Sequence, residues 1–156
     1  EAVADGRIAQ VSSDDAAYSW RAKLMGAERF DLCPNGIPGI EVRLALLHSE
    51  GVVKRGLSLP RLAEIVSAAP ARLFGLAPLK GSLAPGADAD VVLFDPAAEW
   101  VMSRDTLHMA PDWSAYEGIR VTGKVLKVWS RGELIVDGEE LLGRPGRGRY
   151  LRRALE

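Results

Sequence analysis

The stretch Pro34-Asn35-Gly36-Ile37-Pro38-Gly39-Ile40-Glu41 decides how this chain is read. Proline fixes φ and removes a donor, while glycine opens conformations that other residues avoid, so this run is neither a helix nor a central strand. Upstream of it, Arg7-Ile8-Ala9-Gln10-Val11-Ser12 follows the turn-forming Asp5-Gly6 and leads into Ser13-Asp14-Asp15. That segment reads as a short buried strand ending in a carboxylate. A rigid loop placed after such a strand is a common way for a scaffold to present chemistry. The plain alternative is a connector that only turns the chain.

At 156 residues, with 47% hydrophobic and 26% charged residues, the chain has the composition of one soluble globular domain. A net charge of -1 provides no general attraction to nucleic acid or to an anionic membrane. The single cysteine, Cys33, excludes an internal disulfide and fits a reducing, cytoplasmic setting. No apolar run approaches the roughly 20 residues of a membrane helix, and no signal peptide is visible. The chain opens on Glu1, inside what reads as a helix, so the expectation is an interior-to-end piece of something longer.

Beyond the loop, Glu41 to Glu50 carries Leu44, Leu46 and Leu47, with Gly51 at the place of a helix C-cap. Ser58 is an N-cap for a second helix, with Pro60 in its first turn and Leu62, Ile65, Val66 and Ala69 along one stripe. Pro70 then opens a short helix that Gly75 stops. The texture changes at Pro78. A turn-rich run from Gly81 to Asp90 leads into Val91-Val92-Leu93-Phe94-Asp95-Pro96, and Val121–Ser130 and Glu133–Gly138 read as strands joined by the hairpin turn Arg131-Gly132. The end of the chain, with Arg144, Arg147, Arg149, Arg152 and Arg153, is basic and glycine-rich; a subunit-contacting arm suits it better than a phosphate or nucleic-acid site.

Asp14 is the leading candidate functional residue. A carboxylate at the C-terminal end of a buried strand is where α/β barrels place catalytic groups, and it can ligate a divalent metal or move a proton. It can equally cap the following turn. Asp15, on the opposite face of an extended segment, reads as structural. Cys33, His48 and His108 match no compact ligand spacing, so any catalytic metal needs ligands from elsewhere.

Taken together, the chain resembles the C-terminal part of the dihydropyrimidinase/hydantoinase branch of the amidohydrolase superfamily. The matching pieces are Val11-Ser12-Ser13-Asp14, Pro34 through Arg43, Pro70 through Leu76, Lys80-Gly81, Gly86 through Val92, Tyr116-Glu117-Gly118 and Gly146 through Arg149. The resemblance implies an α/β parent, a TIM barrel with a small β-sandwich. In this chain, 1–77 would be the end of the barrel with its last strand and outer helices, 78–142 the C-terminal share of the sandwich, and 143–156 the basic tail. It implies a cyclic-amide hydrolase with two zinc ions and usually a homotetramer. Asp14 would be a metal ligand that takes the proton of the attacking hydroxide and passes it to the amide nitrogen. Asn35 would hold the cyclic imide ring through its backbone. The related motif continues Asp-His-Ala/Cys-Pro, whereas here Asp14 is followed by Asp15-Ala16-Ala17. The remaining metal ligands of the family lie upstream of the residues matched here, so the 156 residues by themselves are expected to bind no metal and to be inactive. The competing reading is a non-catalytic, oligomer-forming relative; a free-standing module for an anionic partner is the weakest.

Overall fold

Helical turns occupy residues 20–73 and a β-meander occupies 91–141 in the computed structural model, which describes residues 1–154. Helix α1 (Trp20–Lys23) is short and capped by Ser19, whose Oγ accepts from the Ala22 N–H at 3.3 Å. Helix α2 (Arg43–Leu46) continues as π-helical turns over Leu47–Val53. Val42, Ala45, His48 and Ser49 are buried on the side of the sheet, while Leu44, Leu47 and Val52 pack on Leu57, Leu62 and Ile65. This helix is therefore covered from two directions, as its apolar content requires.

Gly51 does not end that helix. It sits inside the π-helical turns, and Gly56, at φ 70°, ends it instead, with the Gly56 and Leu57 N–H groups bonded to Val52 O (3.1 Å) and Gly51 O (2.9 Å). The glycine at 51 serves packing: a Cβ there would lie 3.3 Å from Leu57 Cδ2.

The next helix runs without a break as α3 (Leu59–Ala63), π-helical turns over Glu64–Ala68, and α4 (Ala69–Leu73). Ser58 caps it as expected, accepting from the Arg61 N–H at 3.3 Å. Pro70 lies within this continuous helix rather than opening a separate one. Proline removes an i→i−4 bond, and the wider turns just before it absorb the mismatch.

The expected strand Arg7–Ser12 is not formed. Strand geometry needs a hydrogen-bonded neighbour, and the described residues give this segment one interelement backbone bond, Val11 N–H to Ile65 O at 3.2 Å. The N-terminal residues form turns, with the Ala4 and Asp5 N–H groups on Glu1 O.

The sheet is an antiparallel meander in the order β1-β2-β3-β4: Val91–Val101, Arg120–Ser130, Glu133–Asp137 and Glu140–Leu141. β1 runs past Pro96 because the proline sits on an edge strand at a register irregularity between Asp95 and Glu99, where no donor is needed. Arg131 (φ 50°) and Gly132 (φ 79°) form the two-residue hairpin turn. The Lys80 ammonium pairs with Asp88 and Asp90, and Asp90 also accepts from the Arg131 N–H at 2.8 Å, so the Gly-Ala-Asp-Ala-Asp run ties the loop before β1 to that hairpin.

Helix and sheet share one core of Val42, Ala45, Met102, Leu107, Met109 and Val121. Where they meet, Ser49 Oγ accepts from the Thr122 N–H at 3.1 Å, and His48 Nδ1 lies 2.8 Å from Thr122 O. Beyond the sheet, the Arg147 guanidinium donates to Ser130 O at 2.7 Å and pairs with Glu133, and Ala154 N–H bonds Gly75 O at 2.9 Å. Leu155 and Glu156 of the expected 143–156 tail lie outside the described residues. Among the described residues no helix is long and apolar enough to cross a membrane.

The junction rests on Gly123, at φ 109°, whose missing Cβ would lie 2.5 Å from Phe94 Cζ and 2.6 Å from His48 Nδ1. Gly123→Ala combines backbone strain with overpacking and is expected to lower unfolding free energy by about 2–4 kcal/mol, read as a shift in the urea midpoint.

Candidate active site

The loop Pro34–Glu41 is buried at its middle and exposed toward its start. Pro38 and Gly39 are buried, whereas Asn35, Gly36 and Ile37 are exposed. Gly39 has no Cβ to strike Tyr116, whose hydroxyl would be 3.2 Å away. The loop lies against residues 14–16: the Ala16 N–H bonds Ile37 O at 3.1 Å, and a Cβ on Gly36 would lie 2.5 Å from Ala16 Cβ. At φ 86°, Gly36 holds a left-handed conformation in that tight approach, which only glycine takes without strain.

Asp14 stands next to this contact, exposed, with φ 46°. A non-glycine residue in the left-handed region is uncommon, and aspartate is among those that tolerate it. The structure thus brings Asp14 to the loop that carries Asn35.

Asp15 is structural in a way its position did not reveal. Its Oδ1 accepts from the Gly39 N–H at 2.7 Å and the Ile40 N–H at 3.1 Å. Lys23 is the other residue that sequence reasoning missed: its ammonium donates to Pro34 O and, at 2.5 Å, to Gly36 O. Both partners are main-chain groups distant in sequence, so no local motif announces either contact.

The histidines are engaged elsewhere. His48 is buried against Thr122 O and Phe94. His108 belongs to the far end of the loop: its N–H donates to Glu41 Oε2 at 2.8 Å, its Nδ1 lies 2.7 Å from Glu41 Oε1, and its Nε2 lies 3.1 Å from Glu139 O. Among the described residues no group of three or more His, Cys, Asp or Glu side chains is placed to hold a metal. The described donors therefore do not make up a metal centre by themselves; Asp14 offers a single carboxylate.

The Glu41 carboxylate, through its hydrogen bond and its charge, raises the His108 pKa above the ordinary 6.5. Lys124, 2.6 Å from Glu139, lowers the Glu139 pKa, so Glu41, Glu139 and Lys124 are the charges that face this imidazole. A raised histidine pKa gives stability that is whole below the unfolded value and is lost as pH rises through the folded value. The imidazole is 57% exposed, so solvent keeps the effect small. The urea midpoint should fall as pH rises above the ordinary histidine range, and His108→Gln should flatten part of that fall; equal pH profiles for the two proteins would refute the pairing.

Residues 1–135 match the model of the Amidohydrolase family. The chain is 44% identical to a D-hydantoinase of Geobacillus stearothermophilus over 98% of its own length and 33% of that protein. It is 50% identical to a D-hydantoinase of Streptomyces coelicolor over 92% of its length and 31% of that protein. Among solved structures, the dihydropyrimidinase from Brevibacillus agri superposes with a TM-score of 0.95 at 41% identity, covering 98% of this chain and 33% of that one. The chain spans about a third of the length of the relatives it matches.

Proposed function

The chain belongs to the amidohydrolase family, and we propose that it forms the Asp14 side of the active site of a hydrolase that opens cyclic amides of the hydantoin or dihydropyrimidine kind. The observation that carries this reading is the meeting of an exposed, left-handed Asp14 with the loop that presents Asn35. Uncommon backbone conformations cluster at functional sites because the surroundings must hold them in place. The names of the relatives, D-hydantoinase and dihydropyrimidinase, supply the substrate class.

On this reading the residues are the C-terminal part of a longer enzyme. Residues 1–77 close a TIM barrel, 78–142 contribute to a small β-sandwich, and 143–156 reach a neighbouring subunit of a homo-oligomer. Asp14 would hold a metal centre, two zinc ions in this reading, together with ligands from outside these residues, and the metal would supply Lewis acidity at the ring carbonyl. Asp14 takes a proton from the attacking water and delivers it to the ring nitrogen as the C–N bond breaks. The Asn35 backbone holds the ring while this happens. Departure from the related motif at Asp15-Ala16-Ala17 favours, as a second reading, a relative that keeps the scaffold without the chemistry; retention of Asp14 weighs against it.

In the longer enzyme, Asp14→Asn preserves shape and removes the base, and it should slow hydantoin ring opening by about 10²–10⁴-fold. Chelation should abolish the activity and added zinc should restore it. Ring opening that survives Asp14→Asn would remove Asp14 from the chemistry, and no ring opening at all in the unsubstituted enzyme would favour the second reading.

A further inference from the structure

Two side chains of opposite charge grip the two ends of the loop that carries Asn35. We propose that Lys23 and Asp15 are positioning residues that fix the Asn35 peptide for a cyclic-amide substrate. Lys23 holds the carbonyls on either side of Asn35, and Asp15 holds the amides at the far end of the loop. The inference rests on the functional reading above for the identity of the substrate, and on geometry alone for the clamp.

Lysine carries three donors and no acceptor, and an ionised carboxylate only accepts. Each is matched to the main-chain groups it meets. The Lys23 ammonium donates to Pro34 O and Gly36 O, so the residues before and after Asn35 both turn their carbonyl oxygens toward it. Among the described residues the Asn35 N–H and C=O have no backbone partner. They stay available as one donor and one acceptor, the pair that the –CO–NH– edge of a cyclic amide complements.

Lys23 is itself held firmly. Its nitrogen lies 5.6 Å from the centre of the Tyr18 ring and 6.0 Å from that of Trp113, within cation–π range. Trp113 Nε1 donates to Tyr18 O at 2.8 Å, and the Trp20 N–H donates to Asp112 Oδ1 at 2.7 Å, which fixes the start of α1. At the other end, Asp15 bonds both Gly39 and Ile40, next to the buried Pro38. A loop held at both ends leaves Asn35 little freedom, and small misplacements of a binding group are costly to turnover.

Two measurements test the clamp. In the 156-residue chain, amide exchange at Gly39 and Ile40 should quicken about tenfold in Asp15→Ala and stay near the parent in Asp15→Asn, which keeps an oxygen acceptor. Unchanged exchange in Asp15→Ala overturns the tether. In the longer enzyme, Asp15→Ala and Lys23→Met should raise KM for hydantoin about tenfold with a smaller fall in kcat, and Asp15→Asn and Lys23→Arg should recover most of the KM. Circular dichroism melts identify a variant that fails to fold, in which case the conservative pair decides: a KM unchanged in folded Lys23→Met, or equally poor for Lys23→Arg and Lys23→Met, overturns the positioning role. If the unsubstituted enzyme opens no cyclic amide, the functional reading falls, and the exchange measurement still decides whether Asp15 anchors the loop.

Discussion

The grip of one helix on the middle of one strand underlies the whole arrangement. β3 pairs with β2 only from Lys127 onward, so among the described residues the part of β2 around Thr122 has an edge without a strand beside it. Unpaired main-chain groups in a buried edge are costly. The π-helical turns after α2 fill the gap with side chains: Ser49 Oγ takes the Thr122 N–H, and His48 meets Thr122 O. A carbonyl can only accept, so His48 is the donor in this contact, through Nδ1. Gly123 lets the imidazole and Phe94 close over this point, and Trp100 Nε1 secures the Gly123 carbonyl at 3.0 Å.

Fixing that helix to the sheet also fixes the loop before it. Val42, fully buried in the shared core, immediately follows Glu41, and Glu41 is bonded to His108 from the segment between β1 and β2. Tyr116 from the same segment stands over Gly39. Residues 14–16, 18–23, 34–41 and 108–116 therefore converge with little regular structure between them. Polar contacts from side chain to main chain do there what a ladder does in a sheet, and so the neighbourhood of Asp14 has a defined shape without a strand of its own.

Local signals in the sequence survived and distant ones did not. Ser58, the stripe of Leu62, Ile65 and Ala69, and the Arg131-Gly132 turn were legible because cap, period and turn chemistry act within a few residues. Arg7–Ser12 was misread because strand formation depends on partners that local sequence does not reveal. Gly51 looked like a helix end because glycine at a C-cap and glycine under a packed leucine are the same letter. Around the candidate site, Asp14 was read from its place in the chain and Asn35 from the resemblance alone, and Lys23 was invisible because it binds carbonyls eleven and thirteen positions away.

Asp15 shows how a departure from a related motif can be compatible with its architecture. A histidine at this position would offer a ring nitrogen as acceptor to one donor at a time. The loop presents two N–H groups, Gly39 and Ile40, within reach of a single oxygen, and a carboxylate accepts both. The absent turn proline is similarly absorbed, since the Ala16 N–H already reaches Ile37 O and the Tyr18 N–H returns to Ala16 O at 3.0 Å. The segment keeps its turn through main-chain bonds and its hold on the loop through charge. The substitution that weakens the likeness to the related motif therefore supplies one of the contacts that keep the Asn35 loop beside Asp14.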